Sequence, residues 1–234
     1  MGAITISREY GSEGRTVGLK AAKALGYLYM GKELMEKVAL EAEVPVSEVA
    51  CFDEQPEHPI MRALRKFLAP TYPGVVTGMG GEVWGAQGAF PVLPAQDGQG
   101  VAVLDEDAYV QLTQKVMQHL TDQGNVVLVG RGSQAFLVDR LDVLHVRIVA
   151  PREFRIQTVV ERDGLSQDEA VRYLQKLDEQ RRRYIKRHYG IKWNAPEHYH
   201  LIINTGQTGV NAAARIVVAA ARSLPVTEQN VVGA

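Results

Sequence analysis

Near its amino terminus the 234-residue chain reads AITISREYGSEGRT over residues 3–16. A β-rich run at 3–7 leads through a glycine-containing turn at 10–14 into apolar residues that recur at helical spacing from about 15 to 25. Where a strand passes through glycines into a helix, successive backbone N–H groups can point at one phosphate. This stretch therefore predicts a phosphate-binding loop that opens an α/β fold.

The turn contains a candidate residue for each part of a phosphate site. Its glycines let the backbone approach an anion, Arg15 supplies a cation at the rim, and the Thr16 hydroxyl is the candidate magnesium ligand. In the usual G-x-x-x-x-G-K-[ST] pattern, however, Glu9 replaces the first glycine and Arg15 the lysine, so an ordinary strand-to-helix turn is an alternative. The candidate nucleotide-binding residues are Gly11, Ser12, Glu13, Gly14, Arg15 and Thr16.

Beyond the loop, strand and helix patterns continue to alternate. Apolar runs bounded by turn residues predict strands at 27–30, 125–129, 143–149 and 201–204, and helical spacing predicts helices at 32–43, 58–68, 106–123, 151–162, 166–188 and 210–222. We therefore predict one domain over 1–234, a doubly wound α/β fold with five parallel strands and ligands at the carboxyl ends of the strands.

One long segment, 69–100, is rich in glycine and proline and shows neither pattern. A structureless stretch of that length is unusual inside a compact domain. It favours an insertion, which we place at 52–104, that serves acceptor binding or contact between subunits of a homo-oligomer.

Composition excludes several classes of protein. The net charge of −1 gives no overall field that favours nucleic acid or an anionic membrane as a partner. The single cysteine, Cys51, cannot form an internal disulfide, which fits a reducing compartment. No apolar run of membrane-spanning length and no signal-peptide pattern occurs. We therefore expect a cytoplasmic protein that binds neither a membrane nor nucleic acid.

The loop sequence at 4–15 resembles the opening of the cytidylate kinase-like family of P-loop proteins, and the likeness continues through VLVGRG at 127–132 and through 178–189 and 192–205. The resemblance implies a P-loop kinase fold with a helical lid, which corresponds to 164–198. It also implies ATP and Mg²⁺ as cofactors, and an ATP-dependent nucleoside monophosphate kinase of the (d)CMP type that binds a nucleotide and a small phosphate acceptor.

Arg131 follows the predicted strand 125–129 between two glycines. It should emerge at the carboxyl edge of the sheet beside the phosphate loop, where an acceptor would lie. The resemblance implies that Arg131 binds the acceptor phosphate as a bidentate fork. A surface arginine that covers the end of a strand is the alternative.

Five cations lie within the run RRRYIKR at 181–187. The resemblance makes this run part of the lid, whose arginines stabilise the transferring phosphoryl group, and we rank Arg181 first, then Arg183 and Arg187. Asp178 could assist lid closure or hold magnesium indirectly. The alternative is a solvated helix with i,i+4 ion pairs from Asp178 to Arg182 and from Glu179 to Arg183.

At two positions the chain departs from the family pattern. Members of that family commonly carry an aspartate after the second strand, and its cytidylate kinases carry another after the Gly-Arg pair, where this chain has Gly31 and Gly132. Since base recognition depends on a few placed hydrogen bonds, a kinase for another small acceptor is one alternative. A nucleotide-binding regulatory or interaction protein with reduced catalysis is the other.

The ends of the predicted strands contribute weaker candidates. Ser7, Asn204 and Thr205 could contact a nucleotide, but capping of the strand ends is the alternative. His198 and His200 lack a third metal ligand at sensible spacing, so we assign both to structure.

Overall fold

The computed structural model describes residues 2–31, 34 and 106–223. Several sequence-based predictions fall on other parts of the chain. The helix at 58–68, the insertion at 52–104 and the helix at 32–43, apart from Leu34, lie outside the described residues.

The described residues alternate between strands and helices. In chain order they are β1 (Ala3–Arg8), α1 (Gly14–Leu25), β2 (Leu28–Met30), α2 (Glu106–Gln123), β3 (Val126–Val129), α3 (Ser133–Phe136), β4 (Val143–Val149), α4 (Arg152–Asp163), α5 (Gln167–Tyr189), a 3₁₀ helix (Pro196–His198), β5 (Leu201–Asn204), α6 (Thr205–Thr208) and α7 (Val210–Ser223). Each predicted strand and helix in this part of the chain is present, with ends that differ by at most one residue. None of these helices is long and apolar enough to cross a membrane.

All five strands are parallel, in the order β2-β3-β1-β4-β5. After β1 the chain forms β2 at one edge of the sheet and then β3 between β2 and β1, and it continues on the opposite side of β1 through β4 and β5. The strand order therefore reverses at β1. In sheets of this kind, ligands bind at the carboxyl ends of the strands where the order reverses.

Helices cover both faces of the sheet, because alternate side chains of each strand point to opposite sides. On one face Ile4 and Ile6 of β1 pack against α1 and α7. On the other face Ala3 of β1 and Leu128 of β3 pack against α2 and α5. This arrangement confirms the predicted doubly wound α/β fold.

The α4–α5 hairpin adds a third, smaller apolar cluster around Val159 and Leu174. A left-handed glycine, Gly164, ends α4. A capping box then begins α5: the Ser166 side chain accepts a hydrogen bond from the Glu169 amide, and the Glu169 carboxylate accepts one from the Ser166 amide at 2.9 Å. The hairpin is therefore started and stopped by local sequence.

Candidate phosphate-binding site

The loop between β1 and α1 lies at the point where the strand order reverses. Within it Gly11 and Glu13 adopt left-handed backbone conformations, with φ of 76° and 59°. A Cβ at Gly11 would come within 2.7 Å of the Arg155 carbonyl oxygen, and one at Gly14 within 2.4 Å of the Arg8 Cβ. Both positions therefore require glycine, because neighbouring chain segments pass directly against them.

Ser12 holds the loop together from inside. Its buried hydroxyl donates hydrogen bonds to the carbonyl oxygens of Glu9 at 2.8 Å and Ile148 at 3.2 Å. The Thr205 hydroxyl donates to the Ser12 carbonyl at 2.8 Å. Two of the sequence candidates, Ser12 and Thr205, thus shape the loop through buried hydroxyls.

Thr16 lies in the first turn of α1, and its hydroxyl donates a hydrogen bond to the Glu13 carboxylate at 2.6 Å. The other carboxylate oxygen of Glu13 is 3.8 Å from Nη1 of Arg162. A hydroxyl and a carboxylate side by side are oxygen donors of the kind that magnesium prefers. The pair fits a magnesium ion at the start of the helix.

Arg15 extends from the same turn into a positively charged region. Burial lowers the pKa of its guanidinium, and the nearby charges of Arg8 and Arg131 lower it further. Three arginines from β1, α1 and the end of β3 therefore lie near one another. Such a region favours the binding of an anion, since opposite charge relieves the mutual repulsion.

Arg131 lies at the predicted place, directly after β3. Residues 130–132 all have positive φ, and the Arg131 side chain is buried. Its Nη1 donates to the Gly31 carbonyl at 2.9 Å, which joins the ends of β2 and β3. Gly132 lies against the Tyr189 ring, so close that a Cβ at this position would be 2.2 Å from a ring carbon. An aromatic ring thus covers Gly132, one of the two positions at which the sequence departs from the expected family pattern.

On α5, Arg181 and Asp178 face the loop. Arg181 is buried, and its Nη1 donates to the Arg8 carbonyl at 3.3 Å and to Asp178 at 3.4 Å. Asp178 also accepts hydrogen bonds from the Tyr10 amide at 2.9 Å and from Arg155 at 2.5 Å. These contacts tie the helix to the first residues of the loop.

The remaining cations of the run point outward. Arg183 donates to the exposed Glu179 at 2.9 Å, as predicted, and Arg187 is exposed near the end of the helix. The predicted pair of Asp178 with Arg182 is wrong: Arg182 pairs with Glu179 instead. Asp178 faces inward, so partners from α4 and the loop compete for it.

Two arginines of α4 that lie near the loop were missed by sequence reasoning. Arg155 donates to the Tyr10 carbonyl at 3.3 Å, and its Nε is 3.6 Å from Glu9. Arg162 lies near Glu13, as described above. The two arginines are seven residues apart and share a helix face, a spacing that could have identified them.

Behind the loop a polar network connects β1, β4 and the segment before β5. The Ser7 hydroxyl accepts hydrogen bonds from the Trp193 indole at 2.8 Å and from the Tyr199 hydroxyl at 3.2 Å. The guanidinium carbon of Arg147 lies 4.3 Å from the Trp193 ring centroid. Asn204 caps α6 by accepting from the Gly206 amide at 3.1 Å. Ser7 thus joins β1 to this network, and Asn204 caps the helix that follows β5.

From the sequence, we assign His198 and His200 to structure and not to a metal site. His200 accepts a hydrogen bond from the His145 amide through Nδ1, at 2.9 Å. Among the described residues no group of three or more His, Cys, Asp or Glu side chains could hold a metal ion. The contact of His200 with β4 is a structural one.

A five-stranded parallel sheet with a glycine-containing loop between its central strand and the following helix defines an α/β protein of the P-loop kinase type. The pattern of the cytidylate kinase-like family matches residues 3–207. The chain therefore belongs to the cytidylate kinase-like family.

Individual relatives are more distant. A cytidylate kinase from Thermococcus sibiricus (strain DSM 12597 / MM 739) is 36% identical over 96 residues, which are 41% of this chain and 49% of that protein, so the match spans about half of the relative. An uncharacterized protein from Eubacterium ventriosum ATCC 27560 superposes with a TM-score of 0.63 at 17% identity, over 95% of this chain and 99% of the other. A shikimate kinase from Acinetobacter baumannii in complex with shikimate gives a TM-score of 0.46 at 15% identity, with 96% of each chain covered.

Proposed function

We propose that the protein is an ATP-dependent nucleoside monophosphate kinase of the (d)CMP type. The observation that supports this most is the grouping of cations near the end of β1: Arg15 lies near the charges of Arg8 and Arg131, and Arg181 donates to the Arg8 carbonyl and contacts the Tyr10 ring. Family membership supports a kinase-type activity. The choice of ATP as donor and of a cytidine monophosphate as acceptor is our proposal, and we expect a cytoplasmic enzyme.

At the donor side, the loop amides and Arg15 bind the terminal phosphates of ATP. Thr16, with Glu13 beside it, would hold a magnesium ion, which would supply neutralisation of the phosphate charge. An acceptor phosphate oxygen attacks the γ-phosphorus, the bond to the bridging oxygen breaks, and ADP leaves with that electron pair. Arg155, Arg162 and Arg181 stabilise charge on the moving group.

At the acceptor side, Arg131 binds the monophosphate. The α4–α5 hairpin carries Arg155, Arg162 and Arg181, and it excludes water when substrates are bound. Its second helix, α5, belongs to the proposed lid region 164–198. Gly31 and Gly132 contribute no side chain, so base recognition relies on other groups. This is the observation that favours the two alternatives: a kinase for another small acceptor, or a nucleotide-binding regulatory protein.

The test uses the purified full chain with ATP and magnesium and measures ADP formation with each nucleoside monophosphate. We expect the highest kcat/KM with CMP or dCMP. Arg131→Lys keeps the charge but loses the fork, and should raise the acceptor KM while the ATP KM changes little. ATP binding without transfer to any monophosphate would reject the kinase proposal in favour of the regulatory one.

A further inference from the structure

The residue before the first loop glycine, Tyr10, points away from the sheet and into the α4–α5 hairpin. Its ring meets the Tyr173 ring edge-on, with centroids 5.4 Å apart, and packs with the apolar cluster of the hairpin. Its hydroxyl donates to Asp163 at 3.2 Å. Burial raises the pKa of Tyr10 to about 12, so the hydroxyl keeps its proton near neutral pH. A loop residue is thus part of the core of the hairpin.

The same ring is close to two cations from different helices. The guanidinium carbon of Arg162 in α4 lies 4.9 Å from the ring centroid, and that of Arg181 in α5 lies 5.5 Å from it. Both distances are within the range of a cation–π interaction. Tyr10 therefore contacts two arginines that lie nineteen positions apart in the sequence.

The backbone of Tyr10 is held as well. Its amide donates to Asp178 at 2.9 Å, and its carbonyl accepts from Arg155 at 3.3 Å. Side chain and peptide groups together connect Tyr10 to both helices. The loop and the hairpin consequently cannot move independently without breaking these contacts.

We propose that Tyr10 is a positioning residue that couples the phosphate loop to the α4–α5 hairpin and sets where the Arg162 and Arg181 guanidinium groups stand relative to a bound polyphosphate. The inference rests on the proposed function for its ligand, a polyphosphate on the loop. The coupling itself rests only on the contacts of Tyr10. Charge stabilisation depends steeply on geometry. Since the aromatic ring contacts both guanidinium groups and the hydroxyl contacts only Asp163, we expect the ring to matter more than the hydroxyl.

Three substitutions in the full chain separate the ring from simple packing. Tyr10→Leu keeps an apolar side chain but removes the π face, whereas Tyr10→Phe keeps the face and loses only the bond to Asp163. Tyr173→Leu is the matched control, since it makes the same change on the facing ring and leaves the contacts of Tyr10 with both arginines and Asp178. Circular dichroism and thermal unfolding establish that each variant folds.

Three measurements are made on each variant. Calorimetric titration with inorganic tripolyphosphate and magnesium should show binding about tenfold weaker for Tyr10→Leu, and within about threefold of the parent for Tyr10→Phe and Tyr173→Leu. Hydrogen exchange of the amides at 11–14 should be faster only in Tyr10→Leu. In kinase assays Tyr10→Leu should lower kcat more than it changes the acceptor KM, and Tyr10→Phe should restore kcat.

The results distinguish this inference from the proposed function. Parental exchange and parental binding in Tyr10→Leu would overturn the coupling, and so would equal effects of Tyr173→Leu, since these would indicate packing alone. If the parent binds no tripolyphosphate but Tyr10→Leu still loosens the loop, the coupling stands and the proposed kinase function is rejected.

Discussion

Arginine side chains on the two faces of α5 differ sharply in their exposure to solvent. Arg181 and Arg183 are two residues apart, yet the Arg181 side chain is 3% exposed and that of Arg183 is 77% exposed. Two positions on a helix differ by about 200° in direction. One arginine therefore reaches the phosphate loop, while the other points into solvent.

Their partners differ as much as their exposure. Arg181 contacts a backbone carbonyl of β1, the Asp178 carboxylate and the Tyr10 ring. Arg183 contacts the exposed Glu179. An exposed ion pair contributes little because water and salt screen it, whereas charges in a less polar site interact more strongly. The comparison teaches that the density of cations in 181–187 does not show which of them reach the loop, and that helix phase selects the inner residue.

The largest effect on activity should come from a substitution in the loop itself, which the inner face of α5 contacts. Arg15→Ala removes the cation beside the donor phosphates and should reduce kcat/KM by at least about a hundredfold, as expected for loss of a major charge-stabilising group. Steady-state ADP formation measures this, with Arg15→Lys as the control that keeps a charge in place. Parental turnover in Arg15→Ala would remove Arg15 from the mechanism.

Arg181→Ala tests the inner face directly. We expect kcat/KM to fall by about thirtyfold to a hundredfold, since the variant loses one of several groups that stabilise the transferring phosphoryl. The matched control is Arg182→Ala, the adjacent arginine, which pairs with Glu179 on the outer face. Equal losses in the two variants would break the comparison, because the inner and outer positions would then serve the reaction alike.

Much of this arrangement could be predicted from the sequence. Apolar runs bounded by glycine and proline located every strand of the described part, and the position of Arg131 after β3 followed from parallel strands ending at one edge. The short helices α3 and α6 were not predicted, because a single turn is too short to show helical periodicity. The alternation of strands and helices along the chain thus indicated that the carboxyl ends of the strands lie at one edge of the sheet.

The contacts of Asp178 could not be predicted in the same way. Spacing along one helix suggested Arg182 as its partner, a rule that holds for isolated helix surfaces. In the structure α4 packs against the inner face of α5, so Arg155 and the Tyr10 amide reach the carboxylate from other elements. Tertiary packing, which a sequence pattern does not show, decided the pairing.

Asp178→Asn asks how much the inner face depends on its one carboxylate. The amide retains the shape but loses the charge that Arg155 and Arg181 share, so we expect about a tenfold loss in kcat/KM and a fall of about 1–3 kcal/mol in the free energy of unfolding. Urea denaturation and ADP assays measure the two effects. Asp139→Asn, an exposed site outside the cluster, should change neither. If Asp178→Asn behaves like that control, the carboxylate does not hold the inner face together.

The smallest effect should follow from Arg183→Ala, on the outer face. Its partner Glu179 is exposed, and hydrogen bonding by Arg183 lowers the pKa of that carboxyl. Because the pair is screened by solvent, activity should stay within about twofold of the parent. Raising the ionic strength from about 0.15 M to about 1 M should remove any remaining difference, since the Debye length falls from about 8 Å to about 3 Å. A loss as large as that of Arg181→Ala, insensitive to salt, would mean that α5 turns its outer face to the substrate during the reaction, and the distinction between its faces would apply only to the conformation described.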